Sequence, residues 1–387
     1  MIRCTAARVD LAALAANYRA IVAYLAREAA LNRGAGSGPA TPPGVMAVVK
    51  ANAYGHGAVP VAETLAAAGA AWLAVADIEE GVQLRQAGVG ARILVFGALS
   101  VSDLDGVFDH GLTPTVASPS AGRALAAAAS ARGVRVACHL KIDTGMHRLG
   151  FRHDNLARTL PGLLGSPHLD VEAVYTHFAT ADEPEHPLFE AQRAAFEAAL
   201  GSLAALGVRP RLAHTANSAA LLRDSRTWFD LVRPGLLLYG VVPPPLASTL
   251  DLQPVMTLTS RVVAVKGVRS GETVGYGARF HAERPMTLAI VPAGYADGLD
   301  RRLEGKGDLL VRGCRAPIVG AVSMDMLTAD VTDIPDVSPG DEVVFIGRQG
   351  ESAAQTLDAR EMAARIGTIP YEILCRLGAR VERKYGE

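Results

Sequence analysis

VMAVVKANAYGHG, Val45 to Gly57, is an uninterrupted apolar run that stops at a lysine and gives way to small residues, a tyrosine and two glycines. A run without alternation fits a strand covered on both faces, as in a parallel sheet wrapped by helices. Working outward, seven more such runs follow: AWLAVAD from Ala71, RILVFGA from Arg92, TPTVAS from Thr113, RVACHLKID from Arg135, VEAVYTHF from Val171, RLAHTANS from Arg211 and GLLLYG from Gly235. Ala-rich stretches of helical character separate them. Eight βα units predict a closed (β/α)8 barrel. Several predicted strands end on polar residues, namely Lys50, Lys141 with Asp143, His177, and Asn217 with Ser218. Barrel enzymes carry their chemistry at those ends, although each residue taken alone also reads as a solvated loop position.

Beyond VVPPPLA (Val241–Ala247) the helical stretches largely stop, and short runs such as VMTLTSRVVAVKGV, MTLAIVPAGY and DEVVFIG predict an all-β region. The predicted class is therefore α/β: an N-terminal TIM-type barrel over 1–245 and a C-terminal mainly β domain over 246–387. The first few residues are candidates to pair with the β domain. A last helical stretch, Ala359 to Leu374, should break near Ile369 because Pro370 follows. NRGAGSGPATPPG, from Asn32, is expected to be a flexible surface insertion.

The 387 residues are 50% hydrophobic and 20% charged, with a formal net charge of -1. Such a chain has ample core material, and no basic field for nucleic acid or anionic lipid. The cysteines at 4, 138, 314 and 375 show no C-x-x-C spacing, which argues against a disulfide framework or zinc site. The ten histidines carry no H-E-x-x-H spacing, so no metal is expected. The N-terminus lacks the uninterrupted apolar stretch of a signal peptide, and no run approaches the ~20 residues of a membrane span. A cytoplasmic protein with reduced thiols is expected.

Lys50 is the chemically unusual residue. Desolvation lowers the pKa of a buried lysine, the property a Schiff-base lysine needs. On the strand pattern alone, a lysine whose stem snorkels to solvent explains the position better.

The string VVKANAYGHG resembles the pyridoxal 5'-phosphate (PLP) lysine motif of the alanine racemases, a fold-type III PLP family. Further segments recur in family order over nearly the whole chain: KIDTGMHRLG from Lys141, YTHFATADE from Tyr175, HTANSAA from His214, LVRPGLLLYG from Leu231, VGYGARF from Val274, AGYADGLDRR from Ala293 and VSMDM from Val322. The resemblance implies interconversion of L- and D-alanine, supplying D-alanine for peptidoglycan, with Lys50 linked covalently to PLP. It places Tyr54, Ser218, Tyr371 and the backbone at Gly235 and Leu236 around the cofactor phosphate, with Asn217 nearby. Arg233 would face the pyridine nitrogen with His177 behind it. In isolation, Ser218 also reads as a helix cap, Arg233 as a surface ion pair and His177 as a core histidine.

Inverting Cα needs a base on each face, since one base alone returns the proton to the side it came from. The resemblance assigns Lys50 and Tyr276, the tyrosine coming from a second subunit of a homodimer. Without it, Tyr276 is a turn aromatic between Gly275 and Gly277. Arg148 and the Met324 backbone would meet the substrate carboxylate, Lys141 would be a carbamylation site, Asp325 a supporting group, and Tyr295 and Arg301 entry residues. His147 and Ser323 occupy positions that vary in the family and leave fine substrate preference open, so a broader amino-acid racemase is an alternative. A non-catalytic PLP carrier generally lacks the β domain, and a related decarboxylase typically sets an acid at the pyridine nitrogen; both fit less well.

Overall fold

The structure, a computed structural model, describes residues 4–35, 41–97, 104–350 and 354–386. Part of the stretch expected to be a flexible insertion, residues 36–40, lies outside the described residues. Two compact units are present. One holds the residues through Ala13, Tyr54–Gly57 and the chain from Gln253 onward; the other holds Leu14–Ala53 and Ala58–Leu252.

The larger unit is a closed parallel barrel. Its strands are Gly44–Val48, Trp72–Val75, Arg92–Val95, Thr113–Val116, Val136–Asp143, Leu169–Tyr175, Leu212–Asn217 and Leu231–Arg233. Each pairs in parallel with the next, and Leu231–Arg233 closes the ring on Gly44–Val48. Strands such as Trp72–Val75 and Thr113–Val116 are buried at every residue, which is why their sequences show no alternation.

The eighth strand corrects the sequence reading. It is Leu231–Arg233, whereas Leu236–Tyr239 within GLLLYG forms a 3-10 turn. All four turn residues are buried, so the run is apolar because it packs in the core. A short apolar run does not distinguish a strand from a buried turn.

The smaller unit is built on antiparallel strands. Ala6–Asp10 pairs antiparallel with Met256–Arg261 and parallel with Glu382–Gly386. The sheet continues through Glu342–Gln349, Asp308–Val311, Cys314–Val319, Leu327–Asp330 and Met286–Val291 to Ala264–Val268. The last helical stretch divides into Ala359–Ile366 and Pro370–Cys375, with Gly367 in the left-handed region at the break.

Immediately after Lys50 the backbone does something no pattern announces. Ala51, Asn52, Ala53 and Tyr54 all take left-handed conformations, with φ of 55°, 52°, 53° and 52°. For L-residues other than glycine this costs about 1–2 kcal/mol each. The barrel supplies compensation: Glu80 Oε1 accepts the N–H of Ala51 at 2.6 Å and of Asn52 at 3.4 Å, and its Oε2 accepts that of Ala76 at 2.8 Å. Asn52 Oδ1 accepts the Ala58 N–H at 2.8 Å, anchoring the following helix.

Because Ala51 is exposed, its methyl has little packing to lose. Ala51→Gly should therefore raise the unfolding free energy by about 0.5–1 kcal/mol, the relief of left-handed strain less the extra chain entropy of glycine. Urea denaturation measures this, and a loss of stability would contradict a strained turn.

Candidate active site

The barrel unit gathers its polar residues at the C-terminal ends of its strands. Lys50 follows Gly44–Val48, Lys141 and Asp143 close Val136–Asp143, His177 follows Leu169–Tyr175, Asn217 ends Leu212–Asn217, and Arg233 ends Leu231–Arg233.

Arg233 is 3% exposed and has no carboxylate in bonding range among the described residues. Its guanidinium donates to His214 Nδ1 at 2.8 Å, to the carbonyls of Thr176 and Thr215 at 2.9 Å each, and to His177 Nδ1 at 3.3 Å. Burial lowers its pKa to about 10, so it remains a cation at neutral pH.

An arginine has no acceptor, so these bonds fix protons elsewhere. His214 Nδ1 must be bare, and His214 must be neutral with its proton on Nε2. That N–H faces His139 Nδ1 at 3.0 Å, which must also be bare, so His139 carries its proton on Nε2. His139 Nε2 finds no hydrogen-bond partner among the described residues and lies 3.9 Å from Glu172 Oε2, beyond bonding range but close to its charge. Glu172 in turn takes a two-point bond from Arg92 at 2.6 and 2.5 Å. Burial pushes His139 down to about 3 and His214 well below the usual range, with Arg233 adding to both shifts. Tyr175 stacks on His214 with centroids 4.7 Å apart and is pushed up by burial to about 12.

The remaining cations act together on Lys141. Lys141 is buried, and desolvation first, then Arg148, Arg233 and Lys50, lower its pKa to about 8 against the opposing pull of Asp143. His177, half-buried, is held neutral by desolvation and then by Arg233, Lys141, Arg148 and Lys50. Lys50 itself is half-buried, less enclosed than the strand pattern suggested. Arg148 is exposed and makes no hydrogen bond or ion pair among the described residues. Asp143 holds the loop beside it by accepting the N–H groups of Gly145 and His147, both at 3.0 Å.

The expected phosphate-site residues divide between the units. In the barrel, Ser218 Oγ accepts the Gly235 N–H at 2.9 Å, so that N–H is committed to the serine, while the Leu236 N–H makes no bond among the described residues. Asn217, not Ser218, caps the helix Ser218–Arg223, accepting the Ala220 N–H at 2.9 Å. In the other unit Tyr54 and Tyr371 have ring centroids 5.8 Å apart, and burial raises the Tyr54 phenol.

That second unit also carries Tyr276, which is 74% exposed on a 3-10 turn whose flanking Gly275 and Gly277 both have φ near 78°. Met324 and Tyr295 are exposed at 52% and 43%, and Arg301 is exposed as well. Asp325 pairs with Arg380 at 2.7 Å.

Four supporting residues escaped the sequence reading. Glu80 holds the left-handed turn, and His139 extends the arginine's bonding chain. Gln192 spans two loops by donating to Thr144 Oγ1 and the His177 carbonyl while accepting from Ala179 N–H. Arg380 is the fourth. None lies in a string with a chemical signature.

Comparison with known proteins gives a consistent picture. Residues 9–243 match the family model described as alanine racemase, N-terminal domain, and residues 255–385 match alanine racemase, C-terminal domain. The alanine racemase of Symbiobacterium thermophilum is 42% identical over 385 residues, covering 99% of this chain and 97% of that protein. The crystal structure of alanine racemase from D-cycloserine-producing Streptomyces lavendulae superposes with a TM-score of 0.90 at 37% identity, covering 100% of this chain and 98% of that one. That of Bartonella henselae, with covalently bound pyridoxal phosphate, gives 0.85 at 30% identity and covers 99% of both chains. A barrel whose strand ends carry Lys50, Lys141, His177 and Arg233, both family domains in order, and this identity over the full length lead to one conclusion: the chain belongs to the alanine racemase family.

Proposed function

We propose that Lys50 and Tyr276 are the opposed bases with which this enzyme, a PLP-dependent isomerase, interconverts L- and D-alanine. The observation that carries the reading is the charge of the barrel's strand ends. Lys50, Arg148 and Arg233 all act on Lys141 there, and Asp143 is the acidic group that offsets them.

Such a donor set is fitted to anions: a phosphate, a phenolic oxygen and a substrate carboxylate. Arg233 bonds only through its two terminal nitrogens, so its Nε–H is uncommitted among the described residues. When bound, PLP draws electron density from the substrate Cα and so acidifies its proton. Lys50 is its covalent anchor. Ser218, Tyr54, Tyr371 and the Leu236 N–H would bind the phosphate, with Gly235 orienting the serine and Asn217 fixing the helix behind it.

Arg233 would present a donor to the pyridine nitrogen without surrendering its proton, which keeps the cofactor a restrained electron sink and disfavours side reactions. Arg148 would receive the substrate carboxylate, joined by the Met324 backbone of a second copy. Lys50 Nζ would hold or deliver the proton on the D face, and Tyr276 Oη of the second copy on the L face. Two shared sites in a homodimer follow, with Tyr295 and Arg301 at the approach. We assign the enzyme to the cytoplasm and its product to peptidoglycan synthesis; no helix among the described residues is long and apolar enough to cross a membrane.

Lys50→Ala should abolish racemisation. Because enantiomers are equal in energy, Tyr276→Phe must slow racemisation equally in both directions, by about 10²–10⁴-fold. The discriminating readout is exchange of the α-hydrogen in deuterated water: Tyr276→Phe should lose exchange into L-alanine while D-alanine still exchanges through Lys50. Equal and mild effects on both enantiomers would contradict the assignment.

Lys141 carries a second expectation. Carbamylation joins the neutral amine to CO2 with loss of a proton, and the resulting anion would hold Arg148 in place. With Lys141 lowered to about 8, its neutral fraction grows as pH rises through that value and shrinks below it. Intact mass should therefore show one added CO2 that increases with bicarbonate and with pH from about 7 to 9. A fully active enzyme with unmodified Lys141 would exclude the modification.

A further inference from the structure

Arg380 sits four residues beyond the Arg376 cap of helix Pro370–Cys375 and bonds three residues in two segments. Its Nε and one terminal nitrogen grip both oxygens of Asp297 at 2.8 and 3.0 Å. The other terminal nitrogen donates to Asp325 Oδ1 at 2.7 Å, and the first also reaches the Met324 carbonyl at 3.0 Å. Asp297 is 1% exposed, and its Oδ2 also accepts the Gly294 N–H at 2.9 Å. A buried carboxylate of this kind depends on its cation: removing one partner of such a pair costs far more than a surface ion pair contributes.

The consequence lies in two peptide planes. The Ser323 carbonyl accepts the Tyr295 N–H at 3.0 Å, and the Met324 carbonyl accepts the Ala296 N–H at 3.1 Å together with Arg380. In a trans peptide the carbonyl of one residue and the N–H of the next point in opposite directions. With both carbonyls turned onto the 294–298 loop, the N–H groups of Met324 and Asp325 must point away from it. Neither makes a hydrogen bond among the described residues. The packing is tight enough to hold this: a Cβ on Gly294 would lie 2.3 Å from the Ser323 carbonyl oxygen and 2.5 Å from that of Met324.

We propose that Arg380 is a positioning residue for the substrate carboxylate: anchored on Asp297, it locks the Met324 carbonyl between its own guanidinium and the Ala296 N–H, and so presents the adjacent N–H groups of Met324 and Asp325 as an anion receptor. This rests on the reading that Met324 meets the substrate carboxylate. It adds the residue that sets the receptor's orientation and a second donor, the Asp325 N–H. Arg380 touches neither substrate nor cofactor; it acts through the peptide it holds. Lysine would keep a cation beside Asp297 but cannot reproduce the fork that reaches four acceptor atoms.

The test uses the dimeric holoenzyme and propionate, which has the substrate's carboxylate without its amino group. In Arg380→Gln, KM for alanine and the competitive inhibition constant for propionate should rise together by about tenfold, the worth of a charge-assisted contact, with kcat within about threefold. Arg380→Lys should fall between, and covers the case in which the glutamine variant does not fold. In the unmodified protein the Met324 and Asp325 amide resonances should shift on propionate titration, and in the variant these shifts should be lost. Unchanged KM and propionate inhibition in a folded variant would overturn the proposal, as would a loss of kcat in proportion to lost PLP with KM unaltered. Failure of the underlying reading is separable: propionate would then leave the Met324 and Asp325 amides of the unmodified protein unmoved.

Discussion

A buried arginine that meets no carboxylate among the described residues is the constraint around which the barrel is arranged. Placing a cation in the interior costs several kcal/mol unless acceptors surround it. Arg233 is satisfied by two strand-end carbonyls and two imidazole nitrogens. Since arginine only donates, it settles the proton positions of His177, His214 and, one bond further, His139. A carboxylate in place of these acceptors would neutralise the site. Neutral acceptors leave its charge available to whatever faces it.

The same logic extends through the strand ends. Four cations with little acidic offset make an environment that binds anions and lowers the pKa of Lys141, which suits that lysine to chemistry that needs a neutral amine. The chain stores backbone strain beside this site, in four consecutive left-handed residues directly after Lys50, and compensates it with one carboxylate, Glu80. The turn departs from the strand without a helix immediately continuing it, so Lys50 ends a rigid element and starts a constrained one. The second unit shows a related economy at Arg380, where one side chain orients two peptides.

The barrel was legible because parallel strands buried on both faces leave continuous apolar runs with helices between them. GLLLYG shows the limit of that signal, since a buried 3-10 turn is equally apolar. Lys50, Arg233 and Tyr276 were recognisable through the strings around them, whereas Glu80 and His139 were not. Glu80 sits in an acidic first helical turn that favourable dipole interactions explain without function, and His139 lies inside a strand where a histidine reads as core. Their roles depend on which strand end lies opposite, a fact of the closed ring and not of local pattern. The open or committed state of each N–H, as at Gly235 and Leu236, is likewise visible only in three dimensions.

The account turns on Arg233 forcing neutral imidazoles of defined tautomer. Long-range nitrogen–proton correlation NMR on protein labelled at histidine nitrogen reads this directly. Between about pH 6 and 8, His177, His139 and His214 should each show a protonated Nε2 and a bare Nδ1. An imidazolium at any of the three, or a proton on Nδ1 of His214, would contradict the account.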